Sequence, residues 1–550
     1  MAATLLILLL AQDLDVALTA QSRRATSVLD EIADPAERKA FQQFYAEADP
    51  VRRRSLASAF LTRYPASWLF AQTHEAAAQA CFDLGDLPSG LFHARQSLAV
   101  YPENAALLGT MAAVQAHRGE KAAARENAQR VIELLDRFPH PAAMRDRLRA
   151  SAIKILGPER PTGTKLRRDP RSAYAGAAAC RDCHLAQFTA WQQTGMAKML
   201  APVNSASVIG DFTGDYRDSA GLWARFSRGA GGVFFELKRS TGAWDRYRVD
   251  YTIGSKWQQA YATRAPNGDL HVLPIQYNRL EKAWVNYWRT IDPPGSERAI
   301  TGGFHQLREA TSYQRNCAPC HTSVVDERGF GEPGINCEAC HGPAAAHAQG
   351  GAPRWSFASM DHRQAVEVCA QCHAQSAMRE PMAFPPRYQR RPYAEFSRKA
   401  FYKDGRFRET TFIVEAFERS ACYRRGQAQC GSCHDPHPAN APANPKSLKF
   451  AEDDDRMCHQ CHAPASASSA HMKHATHVER ASSPAVQCVS CHMPKIMNSL
   501  MFTARTHQID DRPNAAMTER FGPRESPNAC LSCHAEKDTR WLREQLRSWR

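Results

Sequence analysis

Cysteine and histidine recur in one fixed pattern over the C-terminal two thirds of the chain. The pattern C-x-x-C-H occurs eight times in 550 residues, whereas random placement would give roughly 0.02 copies. Two thiols at this spacing can add to the two vinyl groups on one edge of a haem, and the next histidine can reach the iron as its proximal ligand. The pattern therefore predicts eight covalently attached haem c groups, and with them the movement of electrons. The eight copies consist of Cys180, Cys183, His184; Cys317, Cys320, His321; Cys337, Cys340, His341; Cys369, Cys372, His373; Cys430, Cys433, His434; Cys458, Cys461, His462; Cys488, Cys491, His492; and Cys530, Cys533, His534.

Paired cysteines also occur in zinc ribbons and in disulfide frameworks. Neither requires a histidine directly after every second cysteine, so both explain the pattern less well than haem attachment does. The motifs use 16 of the 18 cysteines and leave Cys81 and Cys422. We expect Cys81 to be a small core residue and Cys422 to be a packing residue near the fifth motif, with a redox or sulfur-ligand role for Cys422 as the alternative.

Each iron also has a distal face, where histidine or methionine can bind. Of the 22 histidines, 14 lie outside the motifs. Four of these fall in the N-terminal helical region or at its end, His459 lies inside its own attachment loop, and His271 lies in a strand-like run, so these six rank below the others. The remaining histidine candidates for distal iron ligands are His305, His347, His362, His437, His471, His474, His477 and His507.

Spacing along the chain favours some of these candidates. His347 follows the third motif in CEACHGPAAAH, and His437 follows the fifth in CGSCHDPH, so a short loop can present each to a neighbouring haem. The cluster HMKHATH, which contains His471, His474 and His477, can supply two ligands and one solvated histidine. Three solvated loop histidines are the alternative.

Charge and hydropathy limit the environment of the protein. The formal net charge of +14 could indicate a nucleic-acid partner, but the propionates of the haems would offset it, so we expect none. The apolar run from Thr4 to Ala11 is far shorter than the roughly 20 residues that span a bilayer, so no transmembrane span is expected.

The same run is similar to the hydrophobic part of a secretory signal. Residues 1–12 are therefore a candidate signal peptide, although no basic residue precedes the run and no clean A-x-A site follows it. A misplaced start codon or a buried N-terminal helix is the alternative. Because haem is attached covalently outside the cytoplasm, we expect a periplasmic or extracellular protein of a bacterium.

Residues 13–156 carry alanine and leucine at helical spacing. Gly85 and Gly119 are 34 residues apart, which is the length of a tetratricopeptide repeat. The segment 71–102 resembles one such repeat, although Cys81 and Gly90 replace the usual tyrosine and alanine. We expect a TPR-like α-solenoid that docks protein partners, with a generic array of helical hairpins as the alternative.

The remaining chain divides by composition. A basic linker with prolines is expected at residues 157–171, and the haem-binding domain at residues 172–540. Within it, residues 205–312 form a β-rich insertion between the first two motifs, with runs such as VFFELK and an Asn267-Gly268 turn signal. The predicted fold is mainly α with a small β insertion: an α-solenoid followed by a loop-rich domain built around stacked haems.

From Tyr174 to His534 the chain resembles the multihaem cytochrome c superfamily, which includes the tetrahaem cytochrome of nitrifying bacteria, octahaem hydroxylamine oxidoreductase and octahaem tetrathionate reductase. The resemblance rests on ordered blocks that include YTIGSKWQQAYAT, GINCEACHGPAAAH, FYKDGRFRETTFIVEAF and CVSCHMPK. In such proteins the segment after the first haem usually reads W-x-x-S-x-H, with that histidine as an axial ligand. Here Met196 stands in its place, which implies Met196 as a distal ligand and one haem of higher potential.

Three functions are compatible with these features. An electron carrier or conduit, working between a quinone-linked donor and a terminal reductase, is favoured because the distal candidates are plentiful. An octahaem oxidoreductase for a small nitrogen or sulfur compound needs one iron without a sixth ligand. An extracellular filament of haem subunits would use the repeats for assembly. Other chemistry has no support, because the sequence lacks the motifs G-x-x-x-x-G-K-[ST], H-E-x-x-H and G-x-S-x-G.

Overall fold

The computed structural model describes residues 28–157, 169–204, 206–218, 221–286, 311–377, 384–386, 388–393, 398–463, 487–499, 502–509 and 513–548. The candidate signal peptide and most of the expected linker lie outside these ranges. Among the helices of the described ranges, none has the length and apolar character needed to cross a membrane.

Seven helices at the N-terminal end pack each against the next and form a helical array. Their first turns are stabilised at four places by an aspartate or asparagine side chain that accepts a backbone N–H: Asp34, Asp49, Asp86 and Asn104. The prediction of stacked N-terminal helices is confirmed. The helices are α1 (Pro35–Tyr45), α2 (Pro50–Arg63), α3 (Phe70–Asp83), α4 (Leu87–Val100), α5 (Ala105–His117), α6 (Lys121–Arg137) and α7 (Ala142–Leu156).

Two glycines close equivalent turns in this array. Gly85 lies between α3 and α4 with φ of 74°, and Gly119 lies between α5 and α6 with φ of 76°. Because side chains disfavour this left-handed conformation, glycine suits both turns. Gly90 permits a close helix crossing, since a Cβ there would overlap the ring of Phe82. The two central hairpins therefore repeat one geometry, and Cys81 of α3 is fully buried.

After α8 (Leu185–Gln192), two antiparallel sheets make up the β insertion. One contains β2 to β5 in sequential order, and the other has the order β1-β6-β7-β9-β10 with β8 beside β7. Their shared core is aromatic and includes Phe212, Phe235, Tyr261 and Trp284. The strands are β1 (Ala201–Pro202), β2 (Asp215–Arg217), β3 (Trp223–Gly229), β4 (Gly232–Lys238), β5 (Trp244–Arg248), β6 (Tyr251–Ile253), β7 (Gln258–Arg264), β8 (Leu270–Val272), β9 (Gln276–Asn278) and β10 (Ala283–Val285).

Residues 169–548, which include the β insertion, are called the haem-binding region below. After the insertion its described elements are mostly very short. The described helices there are α9 (Tyr313–Asn316), α10 (Ala318–His321), α11 (Cys337–His341), α12 (Ala345–Ala348), α13 (His362–His373), α14 (Ile413–Arg419), α15 (Ala421–Arg424), α16 (Cys430–Cys433), α17 (Arg456–His459), α18 (Cys488–His492), α19 (Ala515–Phe521), α20 (Ala529–Cys533) and α21 (Thr539–Ser548). Its two-stranded sheets pair β11 (Thr322–Ser323) with β12 (Glu332–Pro333), β13 (Ser376–Ala377) with β14 (Gln389–Arg390), and β15 (Lys495–Asn498) with β16 (Thr503–Arg505).

One edge of the helical array packs on the haem-binding region. Arg419 makes two hydrogen bonds of 2.9 Å to the carboxylate of Glu103, and both side chains are at most 5% exposed. The turn at Gly405 meets the end of α4 so closely that a Cβ would overlap the carbonyl oxygen of Val100. The two regions are thus joined by buried contacts.

Candidate haem attachment sites

A single helical turn forms most of the C-x-x-C-H motifs. In the first, fifth, sixth and eighth motifs the histidine N–H donates to the carbonyl of the first cysteine at 2.9 to 3.0 Å. Residues three and four apart lie on one side of a helix, so the turn directs both cysteines and the histidine to the same side. This local geometry is what attachment to one edge of a haem requires.

Among the residues that the structure describes, three motif histidines face a second imidazole. The ring centres are 6.3 Å apart for His184 and His347, 6.1 Å for His341 and His437, and 6.4 Å for His434 and His507. Two imidazoles on opposite faces of one metal ion, with each nitrogen about 2 Å from it, have ring centres roughly 6 Å apart. These spacings fit an iron between the members of each pair.

Hydrogen bonds orient two of these imidazoles. Nδ1 of His434 donates to the carbonyl of Lys446 at 3.0 Å, and Nδ1 of His347 donates to the carbonyl of Gly351 at 2.8 Å. Because a carbonyl only accepts, Nδ1 carries the proton and Nε2 keeps its lone pair. Both rings are therefore in the tautomer that binds a metal through Nε2.

Burial keeps several of these histidines neutral. It lowers the pKa of His321 and of His507 to about 4, and it also lowers the pKa of His373 and His341. The side chains of His341 and His373 nevertheless keep accessible surface. A neutral imidazole suits an iron ligand, because it keeps a lone pair that can bind the metal.

The attachment motifs contact one another in a continuous order. Cysteine side chains are close electrostatic neighbours between the first and third motifs (Cys180 and Cys337), the fourth and fifth (Cys369 and Cys430) and the sixth and seventh (Cys458 and Cys488). Close electrostatic neighbours complete the order in the pairs Cys340 and Cys369, Cys433 and Cys458, and Cys491 and Cys530. The described motifs therefore follow the order first, third, fourth, fifth, sixth, seventh, eighth.

The second motif lies to the side of this order. Its Cys320 is an electrostatic neighbour of Cys372 in the fourth motif, and Sγ of Cys320 lies 3.7 Å from the carbonyl oxygen of Gln371. Its His321 has the fully buried Tyr313 as a ring neighbour at 6.3 Å. The second motif thus forms a branch that joins at the fourth.

The other distal candidates have different surroundings. The carbonyl of Met196 accepts N–H groups of Met199 and Ile335, which holds this segment beside the third motif, while His347 is the residue that faces His184. His362 packs on the ring of Tyr423, near the helical array. The candidates His305, His471, His474 and His477 lie outside the described residues.

Buried charges lie beside the fourth and fifth motifs and were not predicted from the sequence. The run IVEAFER places Glu415 and Glu418 three residues apart among apolar side chains, and both are buried in α14. Carboxylates inside an apolar helical run were the available signal. Cys422 is half-buried and has Cys458 of the sixth motif as an electrostatic neighbour.

Two families match parts of the chain. The family described as "Doubled CXXCH motif" matches residues 424–467, which include the fifth and sixth motifs. The family described as "Cytochrome c554 and c-prime" matches residues 276–342, which include the second and third motifs.

Comparisons with whole proteins are less informative than the two family matches. No curated protein matches the chain. Among solved structures, the crystal structure of outer cell wall cytochrome OcwA is similar at 17% identity and a TM-score of 0.45, with 68% of this chain and 87% of that chain covered. Taken with the motif geometry, the two family matches confirm covalent haem c attachment and identify the chain as a multihaem c-type cytochrome.

Proposed function

We propose that the protein is an exported electron-transfer cytochrome with eight haem c groups, one at each motif. The observation that supports this function is the continuous contact order from the first motif to the eighth. Bound haem supplies an iron that cycles between the ferric and ferrous states. At the two ends of the order, Cys183 and Cys533 are exposed, where redox partners could exchange electrons.

The chain's own residues would set the axial ligation. We assign His347 opposite His184, His437 opposite His341, and His507 opposite His434, because each pair has the spacing of two ligands on one iron. For the first site this assignment replaces Met196 as the distal ligand. Two neutral imidazoles favour low potentials, so the first site is expected to resemble the other two.

Removal of single distal ligands tests this proposal. His437→Ala and His507→Ala should each convert one haem from low-spin to high-spin in electron paramagnetic resonance of the oxidised protein. His362→Ala is the matched control, since this ring packs on Tyr423, and it should leave the spectrum unchanged. Unchanged spectra for both ligand variants, or a pyridine haemochrome count well below eight, would contradict the proposal.

An oxidoreductase is the second candidate, and the branch position of the second motif favours it. A haem at a branch can exchange electrons with a substrate without interrupting electron transfer along the main order of motifs. The substrate would be a small nitrogen or sulfur compound. A high-spin signal in the unaltered protein, together with reduction of nitrite or tetrathionate, would support this candidate, whereas low-spin signals alone would favour the carrier.

The helical array is proposed to be TPR-like and to dock redox partners. One of its edges already packs on the haem-binding region through Glu103 and the end of α4. Partners would therefore meet the remaining surface, which includes Phe92 at 54% exposure. Loss of partner binding in a Phe92→Ala variant, with unchanged haem spectra, is the expected result of a pull-down with the physiological donor.

A further inference from the structure

A cluster of buried charges lies beside the fourth and fifth motifs. The fully buried guanidinium of Arg390 contacts Glu367 at 2.8 Å and Glu418 at 2.7 Å. Arg137 of the helical array reaches Glu418 at 3.2 Å. Two cations thus face two carboxylates, and their charges cancel.

Glu415 is a third carboxyl group in this cluster and has no cation of its own there. It is 1% exposed, and its Oε1 accepts the backbone N–H of Gln375 at 2.7 Å. Its Oε2 is buried without a hydrogen-bond partner among the residues that the structure describes. An ionised carboxylate in such a place is costly, and a bound proton removes that cost.

The charged and titratable groups around Glu415 also favour a bound proton on its carboxyl group. Burial raises the pKa of Glu415 to about 8; Arg390 on β14 opposes the rise, and Glu418 on the same helix reinforces it. Glu367 on α13 and Arg137 on α6 belong to the balanced part of the cluster, and Tyr393 is a further electrostatic neighbour. Glu415 is thus the member best able to take up or lose a proton.

Glu415 also lies close to two attachment sites. Its partner Gln375 comes two residues after His373, which is the proximal histidine of the fourth motif. Its neighbour Val414 packs in one core with Val366 and Ala370 of α13, and Cys430 of the fifth motif borders that core. A change of charge at either site would therefore change the proton affinity of this carboxyl group.

We propose that Glu415 is a proton-binding site coupled to reduction at the fourth and fifth attachment sites, an inference that rests on the proposed electron-transfer function. One electron from the redox donor converts a ferric iron to ferrous, and the carboxylate of Glu415 takes one proton from solvent as an O–H bond forms. The added negative and positive charges offset each other. By linkage, protonation of Glu415 raises the potential as much as reduction raises its proton affinity.

Redox titration across pH tests the inference. In the oxidised protein Glu415 already holds its proton at lower pH. Coupling between proton uptake and reduction should therefore begin near pH 8. Above that pH the potential of some haems should fall, by at most about 59 mV for each tenfold decrease in proton concentration. The slope should be smaller in Glu415→Gln and unchanged in Glu126→Gln, whose carboxylate is exposed. Equal slopes in Glu415→Gln and the unaltered protein would overturn the inference.

A second measurement needs no variant. Reduction of the unaltered protein at about pH 9 in weak buffer should take up protons, which a pH indicator detects, and Glu415→Gln should take up roughly one fewer per chain. A protein that is reduced reversibly without proton uptake would overturn the role of Glu415 and leave electron transfer intact. A protein that cannot be reduced reversibly would refute the proposed function itself.

Discussion

The helical array and the haem-binding region differ in what fills their interiors. In the array, helices of 11 to 17 residues bury continuous clusters of alanine, leucine and phenylalanine. In the haem-binding region, most described helices have four to eight residues, and the motif cysteines are only partly buried or are exposed. The array buries its own apolar side chains, whereas we expect the second region to need the apolar mass of haem in addition to its side-chain clusters. We therefore expect one chain to combine a fold encoded by side chains with a fold that depends on its cofactor.

The largest expected effect comes from preventing haem attachment. Full-length chain produced in a cytoplasm without attachment machinery should lose ordered structure in most of residues 169–548 and keep helical structure in residues 28–157. Limited proteolysis with mass spectrometry should yield a protected fragment of the array. The β insertion has its own aromatic core and is the other segment expected to resist. Protection of residues 398–463 without haem would contradict the comparison.

The second effect concerns the contact between the two regions. Arg419→Ala leaves the Glu103 carboxylate buried without its cation, which should cost about 3 to 5 kcal/mol in unfolding free energy. Arg425→Ala is the matched control, because Arg425 and Glu126 are 70% and 54% exposed, and such a pair contributes at most about 1 kcal/mol. Denaturant unfolding of the haem-loaded protein measures both. Similar losses for the two variants would show that the buried pair does not join the regions.

The same contrast explains how much the sequence could predict. The 34-residue spacing of Gly85 and Gly119 predicted the repeated hairpins, because local turn geometry requires glycine there. The motifs predicted which residues bind haem for the same local reason. Which motif lies beside which depends on contacts between distant segments, so the branch at the fourth motif had no local signal. The approach of His347 to His184 also crosses a long stretch of sequence, whereas the Met196 prediction rests on the resemblance at the first motif alone.

A smaller effect should appear within the array when the pH falls. His74 is 5% exposed and lies 2.8 Å from His93, and burial lowers its pKa from 6.5 to about 3, with His93 and Arg520 as further causes. Its neutral form stabilises the fold, so this stability is fully present above about pH 6.5 and is lost as the pH falls toward 3. At pH 5 the loss should be about 2 kcal/mol.

The substitution His74→Gln isolates this contribution, because glutamine keeps a hydrogen-bonding group but does not titrate. The difference in unfolding free energy between pH 7 and pH 5 should shrink by about 2 kcal/mol relative to the unaltered protein. His117→Gln, at an exposed position at the end of α5, should leave that difference unchanged. An equal pH response in all three proteins would place the acid sensitivity in the haem-binding region instead.

The smallest expected effect tests whether the β insertion is stabilised by its own side chains, as the array is, although it lies within the haem-binding region. On its exposed face the guanidinium of Arg217 lies 3.3 Å from the ring centre of Trp223, and the ammonium of Lys238 lies 4.1 Å from the same ring. Exposed cation–π contacts contribute about 0.5 to 1 kcal/mol. Arg217→Ala should therefore lower the unfolding free energy by no more than about 1 kcal/mol, with haem spectra and potentials unchanged. If the variant altered the haem spectra, the insertion would be stabilised jointly with the haems. The β insertion would then belong with the part of the chain whose fold depends on its cofactor.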